Sequence, residues 1–514
     1  MSLANLLFFR AWPWLQNPYT AWHLKAPVST FWWETILDVF IVAAVLFIAQ
    51  ATVRRIPWKG SPLLIRFGLL AALALILKRL NEVNSWLPLR PILVWLGARG
   101  KIFEMSAVAL AGVLMIASLV ALGRIRPLVR WLGIALALLS PLFFLNVYGA
   151  AKATLGGDTA YRDLPACTHA APQAPGPRVV WLIFDTLDYH YAFEERPSWL
   201  KLPELDRLRR ESVDFPNALS PAERTEKSIP SLLTGLVVTG QSITSPCDYR
   251  LTLANGSKIG LRGLPTIFQQ AENMGVRTAA LGVYIPYGRL LGDQLSYCRW
   301  WQWGNLFDSV APISASLVPQ MTLAVGKPFS MWTQIGRQIR NHLAEVEEAK
   351  NLVAGDDYRL VYAHFFPPHM PPMYDGKLDR FSRDAYWHPD GYHDALALAD
   401  RTLGELRREM ERAGTWDQAL VIVTSDHSFR LGAEYGYKVY KRIPFLCHFP
   451  GQTTGLVYPG EINTICSHDM ILNYLNGDIQ TPASFTSWLR EWMKTAPTVP
   501  QGRDDSTDGE DDVP

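Results

Sequence analysis

The apolar positions of the chain fall into two regimes. Before residue 150 they form long runs: residues 35–53, 63–77, 105–123 and 128–148 are apolar almost throughout. A bilayer core takes about 20 helical residues, with about 17 as a working minimum, so the first, third and fourth runs read as membrane spans. The second is short and includes Arg66, whose long stem lets the charge snorkel to the interface. After residue 177 the apolar runs are short and alternate with helical spacing, the pattern of a parallel sheet covered by helices on both faces. Residues 179–184 form one such run and end on Asp185; residues 360–363 end on His364; residues 419–423 lead into Thr424-Ser425-Asp426-His427. Residues 392–413 have helical spacing, with Leu396, Ala399, Leu403 and Leu406 on one side.

The expected organisation is a transmembrane domain of about four helices over residues 1–150 and a linker rich in Gly, Ala and Pro over 151–177. An α/β domain follows over 178–495, then a disordered acidic end, 496–514, carrying Asp504, Asp505, Glu510, Asp511 and Asp512. Arg54, Arg55 and Lys59 lie between the first two runs, and Arg124, Arg126 and Arg130 between the last two. With both loops cytoplasmic, the amino terminus and everything after residue 150 face outward. The reading is a multi-pass protein of the inner (cytoplasmic) membrane with its α/β domain on the periplasmic or extracellular side. The loop 78–101 carries Arg79, Arg90 and Arg99, and within it 87–96 is a candidate re-entrant segment. No small-residue cleavage site follows Arg10, Pro13 and Trp14, so no cleavable signal peptide is expected.

Composition changes this picture little. Hydrophobic residues make up 49% of the 514, and 19 are Trp, more than an ordinary soluble chain carries. The 49 basic and 47 acidic residues leave a net charge of +2, with no basic patch interleaved with aromatics, which excludes a nucleic-acid partner. Cys167, Cys247, Cys298, Cys447 and Cys466 are too scattered for a zinc ribbon or a CxxC site. Cys247 with Cys298 is a candidate disulfide, and Cys447, inside the apolar run 443–449, reads as a buried thiol. Trp300, Trp301 and Trp303 read as packing residues or membrane-interface anchors.

Ligands of open parallel sheets sit beyond the carboxyl ends of the strands. Three strands delivering Asp or His to that edge point to a metal site. There the chain resembles the sulfatase branch of the alkaline-phosphatase superfamily. Residues 202–222, LPELDRLRRESVDFPNALSPA, look like that family's Pro-x-Leu-Asp-Arg-Leu helix followed by Phe-x-Asn-Ala and Ser-Pro. Next comes TEKSIPSLLTG, 225–235, where sulfatases have C-x-P-S-R-x-x-L-L-T-G. This register puts Thr225 at the nucleophile position and Ser228 on the internal serine. The likeness covers most of 178–476, including IPFLCHFPG at 443–451, and implies an alkaline-phosphatase-like fold with a mostly parallel sheet sandwiched by helices.

The departures carry information too. Threonine cannot supply the formylglycine aldehyde that sulfatases need, the motif's arginine is Ile229, and the expected Asp-Asp pair is Asp185-Thr186. Threonine as nucleophile resembles instead the membrane phosphoethanolamine transferases and the lipoteichoic-acid synthases. That resemblance implies Asp185, Thr225, Asp426 and His427 as metal ligands and His369, in PPHMPP, as a phosphate-holding residue. Lys441, ahead of Ile443-Pro444, stands where the ethanolamine-type transferases often have a histidine. The implied cofactor is Zn²⁺ or Mn²⁺. The implied partners are a phospholipid donor, an envelope glycan or lipid acceptor, and the membrane.

The expected activity is thus transfer of a phospholipid head group through a phospho-threonine. The alternatives are a membrane-bound phosphodiesterase or phosphatase, and a non-catalytic envelope-biogenesis protein. Each residue also has a plainer reading. Thr225 is a candidate helix N-cap, and Ser228 is a second candidate nucleophile or a packing serine. Asp426-His427 can be a strand-end turn, and His364 either a second-metal or substrate ligand or a core histidine. His369 can be a loop residue and Lys441 a solvated lysine.

Overall fold

Two helices carry the described part of the amino-terminal unit. The computed structural model describes residues 28–55, 140–155, 175–245, 247–301, 327–388 and 390–499, with isolated positions 4, 5, 22, 134 and 164. The apolar runs 63–77 and 105–123, the segment 87–96, most of the linker, Cys167, Trp303 and the acidic end lie outside the described residues. The chain divides into two units, Met1–Ala160 with Leu306–Thr333, and Tyr161–Asn305 with Gln334–Pro514.

In the first unit, helix α1 (Val28–Arg55) contains Trp32–Thr52, 21 residues. It is the one helix among the described residues long and apolar enough to cross a membrane. Helix α2 (Pro141–Leu155) packs against it, with the Phe143 ring edge-on to Phe40 at 5.4 Å. Gly149 permits the approach, since a Cβ there would meet the Trp32 ring at 2.7 Å. Helix α2 continues past residue 148 into the stretch read as linker, because 150–155 (Ala-Ala-Lys-Ala-Thr-Leu) contains mostly good helix formers and no glycine.

The second unit is built on an eight-stranded sheet. Its strands are β1 (Arg178–Phe184), β2 (Val213–Asp214), β3 (Thr278–Val283), β4 (Tyr297–Trp301), β5 (Leu360–Phe365), β6 (Ala419–Thr424), β7 (Phe445–His448) and β8 (Leu456–Val457). They lie in the order β8-β2-β7-β6-β1-β5-β3-β4. Strands β6, β1, β5, β3 and β4 are mutually parallel, whereas β7 runs antiparallel to both β6 and β2. The sheet is mostly parallel, as the unbroken apolar runs require: β1, β3, β5 and β6 are buried at every residue.

Helices cover both faces. Leu182 and Phe184 of β1 share one core cluster with Leu205 of α3 (Pro203–Glu211), Val346 of α6 (Lys327–Ala354) and Leu403 of α7 (Gly391–Ala413). On the opposite face lie α4 (Thr225–Thr234), α5 (Ile267–Asn273) and α8 (Ser467–Asn476). There Phe268 of α5 meets Tyr362 of β5, which in turn meets Trp181 of β1. Leu396, Ala399, Leu403 and Leu406 are buried along α7, which stops at Gly414 with φ 73°. Strand β5 runs two residues further than its apolar run, so His364 lies within the strand, paired beside Ile183. Trp300 and Trp301 are buried on β4, and Cys447 is buried on β7.

Candidate active site

Asp185 follows directly on the last residue of strand β1, and the chain turns sharply at Thr186, which holds φ at 62°. A β-branched residue with positive φ is a strained placement of the kind found at functional sites. The turn aims the Thr186 N–H at Asp426 Oδ1, 3.2 Å away, while Tyr392 donates its hydroxyl proton to the Thr186 carbonyl at 2.7 Å. Strand β6 delivers Ser425, Asp426 and His427 to the same edge. The Ser425 Oγ joins the two strand ends, donating to Phe184 O at 2.7 Å and accepting from Leu187 N at 2.8 Å.

Helix α4 brings the threonine. Thr225 is not its N-cap: Arg224 holds that position, without a side-chain cap, and Thr225 is the first helical residue. Its Oγ1 donates instead to Asp426 Oδ2 at 2.6 Å and lies 3.3 Å from His427 Nε2. Ser228 is fully buried and donates to the backbone carbonyl of Asp426 at 2.5 Å, which seats the helix against the β6 end.

Asp185, Asp426 and His427 are all buried, and each offers a ligand atom within 4.8 Å of the others. Among the described residues, the buried Asp185 Oδ1 has no hydrogen-bond partner. It lies 3.7 Å from His427 Nε2. His427 Nδ1 faces the Ser428 carbonyl at 2.8 Å; a carbonyl only accepts, so Nδ1 carries a proton and Nε2 is the ring atom turned to the cluster. Burial, then the charges of Asp426 and Glu226, pushes the Asp185 carboxyl well above the usual carboxylate range. Burial also opposes ionisation of Asp426. The charges of His427 and His364 and the hydrogen bonds from Thr225 and the Thr186 N–H outweigh it, and that carboxyl ends below its ordinary value. Two carboxylates this close and this dry do not both ionise unless a cation joins them.

An orphaned Asp185 oxygen, a second carboxylate, the His427 Nε2 and a hydroxyl therefore suit a divalent ion.

The remaining candidates lie at different depths. His364 is fully buried within β5, with Nδ1 3.0 Å from the Tyr287 hydroxyl and Nε2 without a partner. Burial lowers its pKa to about 4, and it feels the charges of Asp426 and His427. His369 follows β5 on a half-buried loop, its Nδ1 donating to the Met370 carbonyl at 2.5 Å. Burial, and then the charge of His427, lowers it to about 4 as well. Lys441 stands exposed, with Nζ 3.2 Å from Glu223.

The sequence reading missed Glu226 and Arg430. Glu226 is buried beside Thr225; Tyr284, at φ 70° just past the end of β3, donates its hydroxyl to Glu226 Oε1. The Arg430 guanidinium, four residues beyond Asp426, lowers the Asp185 pKa and bears on His369. The signal for Arg430 was its closeness to Asp-His; for Glu226, its place next to the nucleophile.

Fold and site together define an alkaline-phosphatase/sulfatase superfamily enzyme, a class that uses divalent metal. Within it, the chain belongs to the Sulfatase family, whose model matches residues 177–475. Among solved structures, a phosphonate monoester hydrolase of Agrobacterium radiobacter is similar at 14% identity and a TM-score of 0.39, over 60% of this chain and 77% of its own. A sulfatase from Pseudoalteromonas sp. is similar at 16% identity and 0.41, over 59% and 68%. Murine ectonucleotide pyrophosphatase/phosphodiesterase 5 is similar at 12% and 0.36, over 58% and 95%. No curated protein sequence matches the chain.

Proposed function

We propose that the chain is a membrane-anchored, metal-dependent phosphotransferase. It moves a phospholipid head group, of the phosphoethanolamine or phosphoglycerol type, to an envelope glycan or lipid. The observation that carries this reading is the Thr225 hydroxyl, 2.6 Å from Asp426 Oδ2 in the motif position where sulfatases place their aldehyde precursor. A threonine forms a phosphoester readily and a formylglycine never, so phosphoryl chemistry fits and sulfate-ester hydrolysis does not. The apolar Trp32–Thr52 stretch supports an anchor beside the lipid donor, and the basic loops flanking the apolar runs support a site outside the inner membrane.

Zn²⁺ or Mn²⁺ held by Asp185, Asp426, His427 and the Thr225 oxygen would supply charge neutralisation and a lowered hydroxyl pKa. In the first half-reaction the Thr225 Oγ1–P bond forms and the P–O bond to the diacylglycerol oxygen breaks. Asp426 Oδ2, already the acceptor of the Thr225 hydroxyl, takes its proton. The leaving oxygen takes a proton from His369, whose charged form the bound phosphate stabilises. Because His369 Nδ1 is committed to the Met370 carbonyl, that proton moves at Nε2. In the second half-reaction an acceptor hydroxyl attacks phosphorus, its proton returns to His369, and Thr225 recovers its own from Asp426. Arg430 supplies positive charge near the phosphoryl oxygens where the motif's arginine is replaced by Ile229.

Head-group-labelled phospholipids incubated with the detergent-purified protein and an envelope lipid extract test this. Transfer places the label on a second molecule, and Thr225→Ala abolishes it. Label released into water would move the assignment to a phosphodiesterase. A Thr225→Ala protein as active as wild type would remove the threonine mechanism.

A further inference from the structure

Helix α6 carries polar groups that the site above does not use. One buried row of the helix runs Ile335, Gln338, His342, Glu345, Ala349 and Leu352. Steps of three and four residues put these side chains on one face. Its ends are apolar, as a core-facing row should be, but its middle is not. Glu345 is fully buried, and among the described residues neither of its carboxyl oxygens has a hydrogen-bond partner. Neither amide atom of Gln338, at 5% exposure, has one either. The His342 ring lies 6.5 Å from the ring of Phe365 on β5, so this face of the helix turns toward the sheet.

The state of His342 follows from its neighbour on α7. Thr402 donates its one hydroxyl proton to the Leu398 carbonyl at 2.8 Å. Toward His342 Nε2, 3.2 Å away, it can therefore only accept. Nε2 thus carries the ring proton, and Nδ1 is a buried lone pair with no partner among the described residues. Burial first, then the charge of Arg401, lowers this imidazole to about 3. Burial alone pushes the Glu345 carboxyl well above its ordinary range. A carboxyl group, an imidazole lone pair and a side-chain amide share one dry helical face one and two turns apart, and among the described residues none of them has a partner for the atoms named. Buried polar atoms without partners are costly, and a divalent cation would take the Glu345 carboxylate in its ionised form, the His342 Nδ1 lone pair and the Gln338 amide oxygen together.

We propose that Gln338, His342 and Glu345 form a second divalent-cation site. It fixes α6 against the sheet and is separate from the Asp185–Asp426–His427 cluster. Histidine and carboxylate on one helical face are a proven way to hold one ion, and the added amide oxygen suits Mn²⁺ or Zn²⁺.

The test counts metal in the full-length protein, stripped, reloaded with Mn²⁺ or Zn²⁺ and separated from free ion. Two equivalents are expected in wild type, and one each in Asp426→Asn and Glu345→Gln. A Glu345→Gln protein with the wild-type metal count would overturn the proposal. Should Glu345→Gln fail to fold, Asp426→Asn decides: one retained equivalent supports the second site, and none overturns it. A count lowered by Glu345→Gln but not by Asp426→Asn would keep this site and remove the first.

Discussion

Pro230 has no N–H to give, and the consequence reaches the nucleophile. In α4 the missing donor would have bonded the Glu226 carbonyl, four residues back. The buried Tyr249 hydroxyl donates to that carbonyl instead, while Tyr284 holds the Glu226 carboxylate. The first turn of α4, and with it Thr225, is thus fixed by two tyrosines distant in sequence. No local pattern announces such contacts, whereas Thr225 itself was legible from its register on Leu-Leu-Thr-Gly. Arg430 belongs to the same hidden group, because its approach to Asp185 depends on how the chain turns after β6. Arg430→Ala should lower kcat/KM for head-group transfer by about 10–100-fold, roughly 1.5–3 kcal/mol for a charge-assisted contact. Arg430→Lys should recover part of it. A rate within twofold of wild type would place Arg430 outside the reacting centre.

Strand ends were the most legible elements, since a fully buried strand must be an unbroken apolar run and its first polar residue marks the edge. Asp185 was found that way, and Asp426 from the polar run 424–427 that follows residues 419–423. His364 was not placed correctly, because a histidine ends an apolar run by composition while β1 still offers it a pairing partner. Caps supplied from elsewhere were invisible. Helix α3 has no side-chain cap of its own, and Asp400 of α7 accepts from Leu205 N at 2.7 Å in its place. Burial raises Asp400 from 3.8 to about 7, against the pull of that backbone bond. A raised carboxyl pKa means the folded state holds a proton that the unfolded chain has lost. The associated stability is therefore full below pH 3.8 and declines as pH rises, until it is gone above about 7. Asp400→Asn keeps the acceptor oxygen and removes the titration. It should match wild type in unfolding free energy at low pH and exceed it at pH 8, by on the order of 4 kcal/mol. A difference independent of pH would show that Asp400 does not titrate in this window.

At the scale of the molecule, the alternation of short apolar runs with helical segments was enough to give the α/β class. Strand order was not, because β7 and β2 enter the sheet through pairings between residues far apart in the chain. The site gathers where β1 lies between β5 and β6, so three remote segments reach one edge and α4 adds the threonine. A covalent phospho-enzyme on Thr225 is the account's central claim. Peptide mass spectrometry of the full-length protein, after incubation with mixed phospholipids and Zn²⁺ or Mn²⁺, tests it most directly. The predicted result is a head-group phosphate adduct on the Thr225 peptide, absent from Thr225→Ala and chased off by acceptor. Turnover with the adduct on Ser228, or with no protein adduct under rapid quench, would contradict it.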